Sequence, residues 1–391
     1  MIDKEAKQRA FEIIKSHPDY TNDQLGYLIG VSERSVRRYK KEMLHPKAAQ
    51  VTTTDELSNL RYKNAYNDLK VRYNQLLKVL DDKDKALQQY ESIPNKPSDV
   101  KITVSDDKKH EVVPVIVASD WHIEESVSSA ITNGLNEYNL KIAEDSIKQF
   151  FAKACALVQD AKAKYEVNTV VLAILGDIIN GVLRDEDLES NQITSIEAIM
   201  LARSFLYAGI KLLAKTTGCN IKVICCVGNH GRMTDKIYYS NQIKNHLEFM
   251  MYKTLARDFQ DYDNVDFDVA EGPYRIKNIF GIRVRFHHGH VARYNGGIGG
   301  LAVPVLRKAA QMNTIEKADL DVIGHFHSMQ VFSNVIINGS LVGSNGFSMA
   351  MGFPHEHPQQ TFFLIDSMYG RSTITPIFID RDIYKEDTEK I

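Results

Sequence analysis

Short apolar runs that end on Asp, Asn or His recur along this chain, and that recurrence constrains its fold more than any other feature. The runs lie at 112–118, 170–175, 221–227, 282–288, 321–323 and 335–337. Segments of helical period separate them, at about 140–163, 194–215 and 240–259; the first carries Leu140, Ala143, Ile147, Phe150, Phe151, Ala154 and Leu157 on one face. Buried strands alternating with amphipathic helices predict an α/β fold whose sheet faces are covered. Five runs deliver a cluster: Ser119-Asp120-Trp121-His122, Gly176-Asp177-Ile178-Ile179-Asn180, Gly228-Asn229-His230-Gly231-Arg232, His287-His288-Gly289-His290 and Gly324-His325-Phe326-His327. Open α/β sheets place ligands at the carboxyl ends of their strands. Mixed imidazole, carboxylate and amide donors suit manganese, iron, zinc or similar ions, whereas magnesium or calcium alone favours an all-oxygen set.

Composition removes several other readings. With 391 residues the chain is long enough for two or three domains. No stretch approaches the roughly 18 apolar residues of a membrane span, so no membrane role is expected. The first residues are charged where a signal peptide needs an apolar block. Cys155, Cys219, Cys225 and Cys226 show no CxxC spacing, which fits reduced thiols in a cytoplasmic protein. The net charge is −2 but unevenly spread: residues 1–50 hold ten Lys/Arg against seven Asp/Glu, a surplus of three, and 111–391 carry −6. Any electrostatic footprint for nucleic acid sits at the front.

That front reads as a helix-turn-helix. Residues 5–15 have helical spacing, Pro18 and Asp19 end them, and Thr21 caps a second helix that closes at Gly30. Ser32 caps a third. Leu25, Leu28, Gly30, Val31 and Val36 pack the helices, while Arg34, Ser35, Arg37, Arg38 and Lys41 face outward. In a DNA-binding helix-turn-helix the last helix enters the major groove and such residues meet bases and phosphates; the plainer alternative is a small bundle with a solvated basic face. Between 55 and 92, Tyr62, Tyr66, Leu69, Tyr73, Leu76, Leu80, Lys83, Leu87 and Tyr90 recur at alternating spacings of four and three, a heptad seam broken only by Lys83. It can pair with a second copy in a homodimer or pack on the rest of the chain. The expected order is therefore 1–50 helix-turn-helix domain, 55–92 helical or coiled-coil segment, 93–110 linker and 111–391 catalytic domain.

The five clusters, in this order, resemble the calcineurin-like metallophosphoesterase superfamily over roughly residues 112–340, in a style closest to its phage-encoded members. The resemblance implies a two-sheet sandwich flanked by helices, with two divalent ions at one rim: manganese first, with iron, zinc, nickel or magnesium as alternatives. It implies that Asp120, His122 and His327 hold one ion, that Asn229, His288 and His325 hold the other, and that Asp177 bridges them. His230 becomes the unligated catalytic histidine. Asn180 and His290 stand behind the ligands. Strand alternation independently puts His288, rather than His287, on the same face as Val284 and Phe286. Gly231 departs from the family, which has Asp or Glu there to orient the histidine. Arg232 is placed to grip a phosphoryl oxygen.

The implied chemistry is a binuclear phosphodiesterase or nuclease on DNA, in which a metal-bridging hydroxide attacks phosphorus. Two readings compete with it: a phosphomonoesterase for which the helix-turn-helix is a docking element, and a DNA-binding regulator with an inactive phosphoesterase domain.

Overall fold

A computed structural model describes residues 4–45, 54–92, 110–183, 185–293 and 300–380. The chain divides into two units, residues 1–104 and 105–391. Most of the expected linker (93–109) and the glycine-rich stretch 296–299 lie outside the described residues.

The first unit holds α1 (Lys4–Ser16), α2 (Asn22–Ile29) and α3 (Glu33–Leu44). Thr21 accepts from the Gln24 amide while Gln24 returns a bond to the Thr21 backbone, a capping box that fixes where α2 begins. Gly30, at φ +76, closes α2 in a conformation that costs other residues, and Ser32 then caps α3. The helices close on Ala10, Ile14, Leu25, Val36 and Tyr39. Leu28 departs from its expected place: it is half exposed, and Tyr39 fills the core instead. Beyond these lies α4 (Thr54–Glu91), an unbroken helix of 38 residues whose described side chains, 57–91, are all exposed.

The second unit is a mixed α/β sandwich. One sheet has four parallel strands, β1 (Val112–Ala118), β2 (Thr169–Ile174), β3 (Asn220–Cys225) and β4 (Val265–Val269), with the antiparallel β10 (Gln359–Asp366) and β11 (Gly370–Phe378) beyond β1. The other is ordered β5 (Arg275–Ile279), β6 (Ile282–Phe286), β7 (Leu320–Ile323), β9 (Val335–Ile337), β8 (Gln330–Val331). Strand alternation makes two cores from one strand. Val113, Val115 and Val117 of β1 join Val284, Phe286, Val322 and Ile336 between the sheets. Val112, Ile116 and Ala118 face α5 (Leu140–Lys164), α7 (Ser195–Thr217) and α8 (Leu247–Asp258), with the short α6 (Asp185–Ser190) between α5 and α7 in sequence. The outer face of the second sheet is covered by α9 (Ala302–Asn313), through Val305 and Ala309. Each such fully buried aliphatic side chain stabilises the fold by about 1.5–3 kcal/mol.

The expected helix at 240–259 begins seven residues later, at Leu247, because 239–245 forms turns. Among the described residues, no helix is long and apolar enough to cross a membrane.

Candidate metal centre

The loops that leave β1, β2, β3, β6 and β7 meet where the two sheets end. The Asp120 amide donates to the Gly176 carbonyl (3.1 Å), and the Gly324 amide donates to the His288 carbonyl (2.9 Å). The His325 amide donates to both Asp120 oxygens, 3.0 and 2.9 Å, and so ties one sheet's loops to the other's. Two glycines allow the approach. A Cβ on Gly176 would lie 2.1 Å from the Gly228 nitrogen, and one on Gly228 would lie 2.0 Å from Asp177 Oδ1. Of the seven non-glycine residues with positive φ among those described, five are Asp120, His122, Asp177, His325 and His327. Backbone strain of this kind costs on the order of 1–3 kcal/mol per residue and collects where function demands a fixed geometry.

The side chains converge as the backbone does. Three groups place ligand atoms within 4.8 Å of one another: Asp120, His122 and His327; His122, Asp177 and His230; Asp177, His288 and His325. The groups share His122 and Asp177, so they form one cluster. Asn229 joins it, with its Oδ1 3.1 Å from His288 Nε2. Oxygen acceptors fix the imidazoles from behind. His122 Nδ1 lies 2.9 Å from Asn180 Oδ1, and His288 Nδ1 donates to the Leu175 carbonyl at 2.7 Å. In a neutral ring held this way Nε2 is left with its lone pair, as a metal ligand requires. His122 Nε2 and His327 Nε2 stand 3.2 Å apart, and His325 Nδ1 is 3.3 Å from His288 Nε2. His287 points the other way, 3.3 Å from Asp321.

The carboxylates are anchored with equal care. Asp177 Oδ1 accepts from the Asn229 and His230 amides, both at 2.8 Å, while Oδ2 lies 2.8 Å from His288 Nε2. Asp120 Oδ2 accepts from Ser119 Oγ (2.5 Å), which in turn accepts from Asn338 Nδ2 (2.9 Å). Burial, and behind it the Asp177 charge, pushes Asp120 up to about 7 against the pull of His288. Burial lowers His122 and His325 well below the usual imidazole range and takes His327 down to about 4. For His288 burial also works downward, but Asp177, with Asp120 and the Leu175 carbonyl, overcomes it and raises the ring to about 9. Two buried carboxylates thus stand among neutral imidazoles, with a proton on His288 as their compensation. A divalent cation satisfies the same demand with more charge, and the O/N donor set fits one.

His230 sits at the edge of this cluster. Its Nδ1 donates to the Asn180 carbonyl (2.8 Å), Asp187 Oδ2 lies 3.8 Å away, and its ring meets the His122 ring edge-on at 4.7 Å. The missing acid at position 231 has a steric reason. A Cβ on Gly231 would come within 2.7 Å of the His246 ring and 3.2 Å of Glu248. Arg232 donates to the Thr234 and Asp235 carbonyls, a local task in its own loop. His290 is largely buried, with its ring 5.6 Å from that of His288, and burial takes it down to about 3.

Sequence reasoning missed Glu248. Its two oxygens accept from the Ile178 amide (2.7 Å) and the Gly228 amide (2.8 Å), bracing the loops after β2 and β3 together. The signal was present: Glu248, Met251, Tyr252 and Leu255 share the buried stripe of α8, an acid at an apolar position. In the first unit Arg34, Arg37, Arg38 and Lys41 are exposed, as expected, and Ser35 is half-buried with its amide bonded to Ser32 Oγ. Two of the basic residues have acidic neighbours on the same helix: Arg37 pairs with Glu33 (2.5 Å), and Arg38 lies 4.0 Å from Glu42.

No protein-family model and no curated protein matches this chain. Among solved structures it is similar to a novel archaeal phosphodiesterase, at 12% identity and TM-score 0.30 over 67% of this chain and 99% of that one. It is also similar to wild-type Vps29 complexed with zinc from Entamoeba histolytica, at 11% identity and TM-score 0.26 over 68% and 99%. A third likeness is the sulfate thiohydrolase SoxB from Thermus thermophilus, at 10% identity and TM-score 0.30 over 72% and 60%. At these scores the likenesses carry no argument, and the functional reading rests on the site.

Proposed function

We propose that residues 105–391 form a metal-dependent phosphoester hydrolase of the calcineurin-like type, holding two divalent ions, and that the full chain is a phosphodiesterase acting on DNA. One observation carries the hydrolase reading: seven donors from five strand ends converge on one cluster, five of them on strained backbone. Asp120, His122 and His327 would hold one ion and Asn229, His288 and His325 the other, with Asp177 shared. When bound, such a pair lowers the pKa of a water and offsets charge at phosphorus. The protein's own groups do the rest. Asn180 and Leu175 hold the ligand rings in the correct tautomer. With Nδ1–H fixed on the Asn180 carbonyl, His230 would use Nε2, in its imidazolium form, to hand a proton to the departing ester oxygen.

DNA is favoured as substrate by the exposed basic face of α3, joined to a hydrolase that is itself net acidic. Purified full-length chain with added manganese tests both halves. Cleavage of single- or double-stranded DNA and of a small chromogenic phosphodiester, faster than of a monoester, is the expected result. Hydrolysis of the monoester alone would turn the reading to a phosphomonoesterase. No hydrolysis of any ester, with metal bound, would make the chain a regulator with an inactive domain.

A further inference from the structure

From Tyr62 to Tyr90 the 38-residue α4 exposes an apolar stripe broken by Lys83: its apolar seam residues run from 51% exposed at Leu80 to 77% at Tyr62. A lone helix with such a face is marginal in water and gains its stability from what covers it. The flanking positions identify the cover. Beside the seam, at intervals of seven, stand Lys63, Lys70, Leu77, Asp84 and Glu91: two cations, an apolar residue, two anions. We propose that α4 pairs with α4 of a second copy of this chain, and that the pair is antiparallel.

An antiparallel coiled coil sets this flank against itself. Lys63 of one copy meets Glu91 of the other, Lys70 meets Asp84, and Leu77 meets Leu77, giving four opposite-charge pairs by symmetry. The seam closes in the same register, about a dyad at residue 78. Leu76 faces Leu80, Leu69 faces Leu87, and Tyr66 faces Tyr90. Lys83, the one break in the seam, faces Tyr73, whose ring can take a cation. Val79, also exposed, meets its own copy at the dyad. The parallel alternative fails on both counts. It stacks Lys83 on Lys83, and it sets Ala65 against Lys70, Arg72 against Leu77, Val79 against Asp84 and Ala86 against Glu91, so that no facing pair is opposite in charge. Antiparallel pairing also sets the two α4 N-termini about 70 Å apart at 1.5 Å per residue, instead of side by side. None of this depends on the phosphoesterase reading.

The test uses the full-length chain at micromolar concentration. Sedimentation equilibrium should show a dimer. Tyr66→Cys and Tyr90→Cys chains, mixed and mildly oxidised, should cross-link to each other, while Tyr66→Cys alone should not; the four native cysteines are buried and spared. Lys63→Glu with Lys70→Glu should weaken dimerisation on the order of a hundredfold at low salt, since four modest pairs change sign. Adding Asp84→Lys and Glu91→Lys should restore it. A monomer, a self-cross-linked Tyr66→Cys chain, or a four-fold charge exchange that fails to restore pairing would each overturn the proposal. Turnover of a small phosphodiester should be unchanged in all these variants, so a failure here is separable from a failure of the hydrolase reading.

Discussion

The strand-end cluster of residues 105–391 and the helix 54–91 are opposite kinds of unfinished structure. In the cluster, charged groups are buried: Asp120 and Asp177 are almost wholly excluded from solvent, held by amides, a hydroxyl and imidazoles. In α4, apolar groups are exposed from Tyr62 to Tyr90. Each arrangement is costly alone, since buried charge wants a counter-charge and exposed apolar surface wants a cover. The difference tells what each awaits. On the readings proposed above, a cation would complete the first and a second copy of the chain the second.

The largest effect that could break this contrast comes from the shared carboxylate. Asp177→Asn keeps the shape and removes the charge that serves two of the three donor groups. Turnover of a small phosphodiester should fall on the order of a thousandfold, and bound metal, counted by atomic emission, should drop below two per chain. Dimerisation through α4 should be unaltered. Near-normal turnover with two ions retained would end the binuclear reading.

The two regions also differed in what the sequence revealed. The residues that cluster were legible because each follows an apolar run within a few positions, so strand periodicity located it and its chemistry suggested a role. His288 could even be separated from His287, since alternation decides which of two neighbours faces the core. The sheet edges were not legible. β4 reads Val-Asp-Phe-Asp-Val and β5 reads Arg-Ile-Lys-Asn-Ile, with polar residues on exposed or half-buried positions. Supports such as Asn338, 219 residues from the Ser119 it bonds, depend on long-range closure that no local pattern encodes. In the first unit caps and turn glycine fixed three helices, yet Leu28, expected in the core, is half exposed and Tyr39 is buried, because tertiary packing decides which side of so short a helix is covered.

A middle-sized effect should come from Glu248, which sharpens the contrast by testing whether the cluster's backing is as necessary as its donors. Burial, with the Asp177 charge behind it, pushes Glu248 up to about 8. Both oxygens nevertheless accept from backbone amides. Glu248→Gln would turn one acceptor into a donor facing an N–H, stranding a buried amide. Urea unfolding in chelator should show a loss of about 2–3 kcal/mol. Metal affinity should weaken along with it, because the loops carrying Asp177 and Asn229 lose their common brace. A change below about 0.5 kcal/mol would mean that the loops are held together by other contacts.

The smallest expected effect concerns the basic helix, and it asks which unit holds DNA. Residues 111–391 carry −6, and two dications would offset only four of those charges, so their own attraction for a polyanion is weak. If α3 supplies the contacts, neutralising Arg37, Arg38 and Lys41 together should weaken DNA binding and flatten the dependence of log affinity on log salt. Each lost phosphate contact removes about one from that slope. The full loss of three is not expected, because Glu33 already pairs with Arg37 and Glu42 lies beside Arg38. A slope change between about one and two is the expected result, with small-diester turnover untouched. The exposed Arg34 would account for part of what remains. An unchanged slope would assign α3 to docking rather than to DNA, and would move the monoesterase reading ahead of the nuclease.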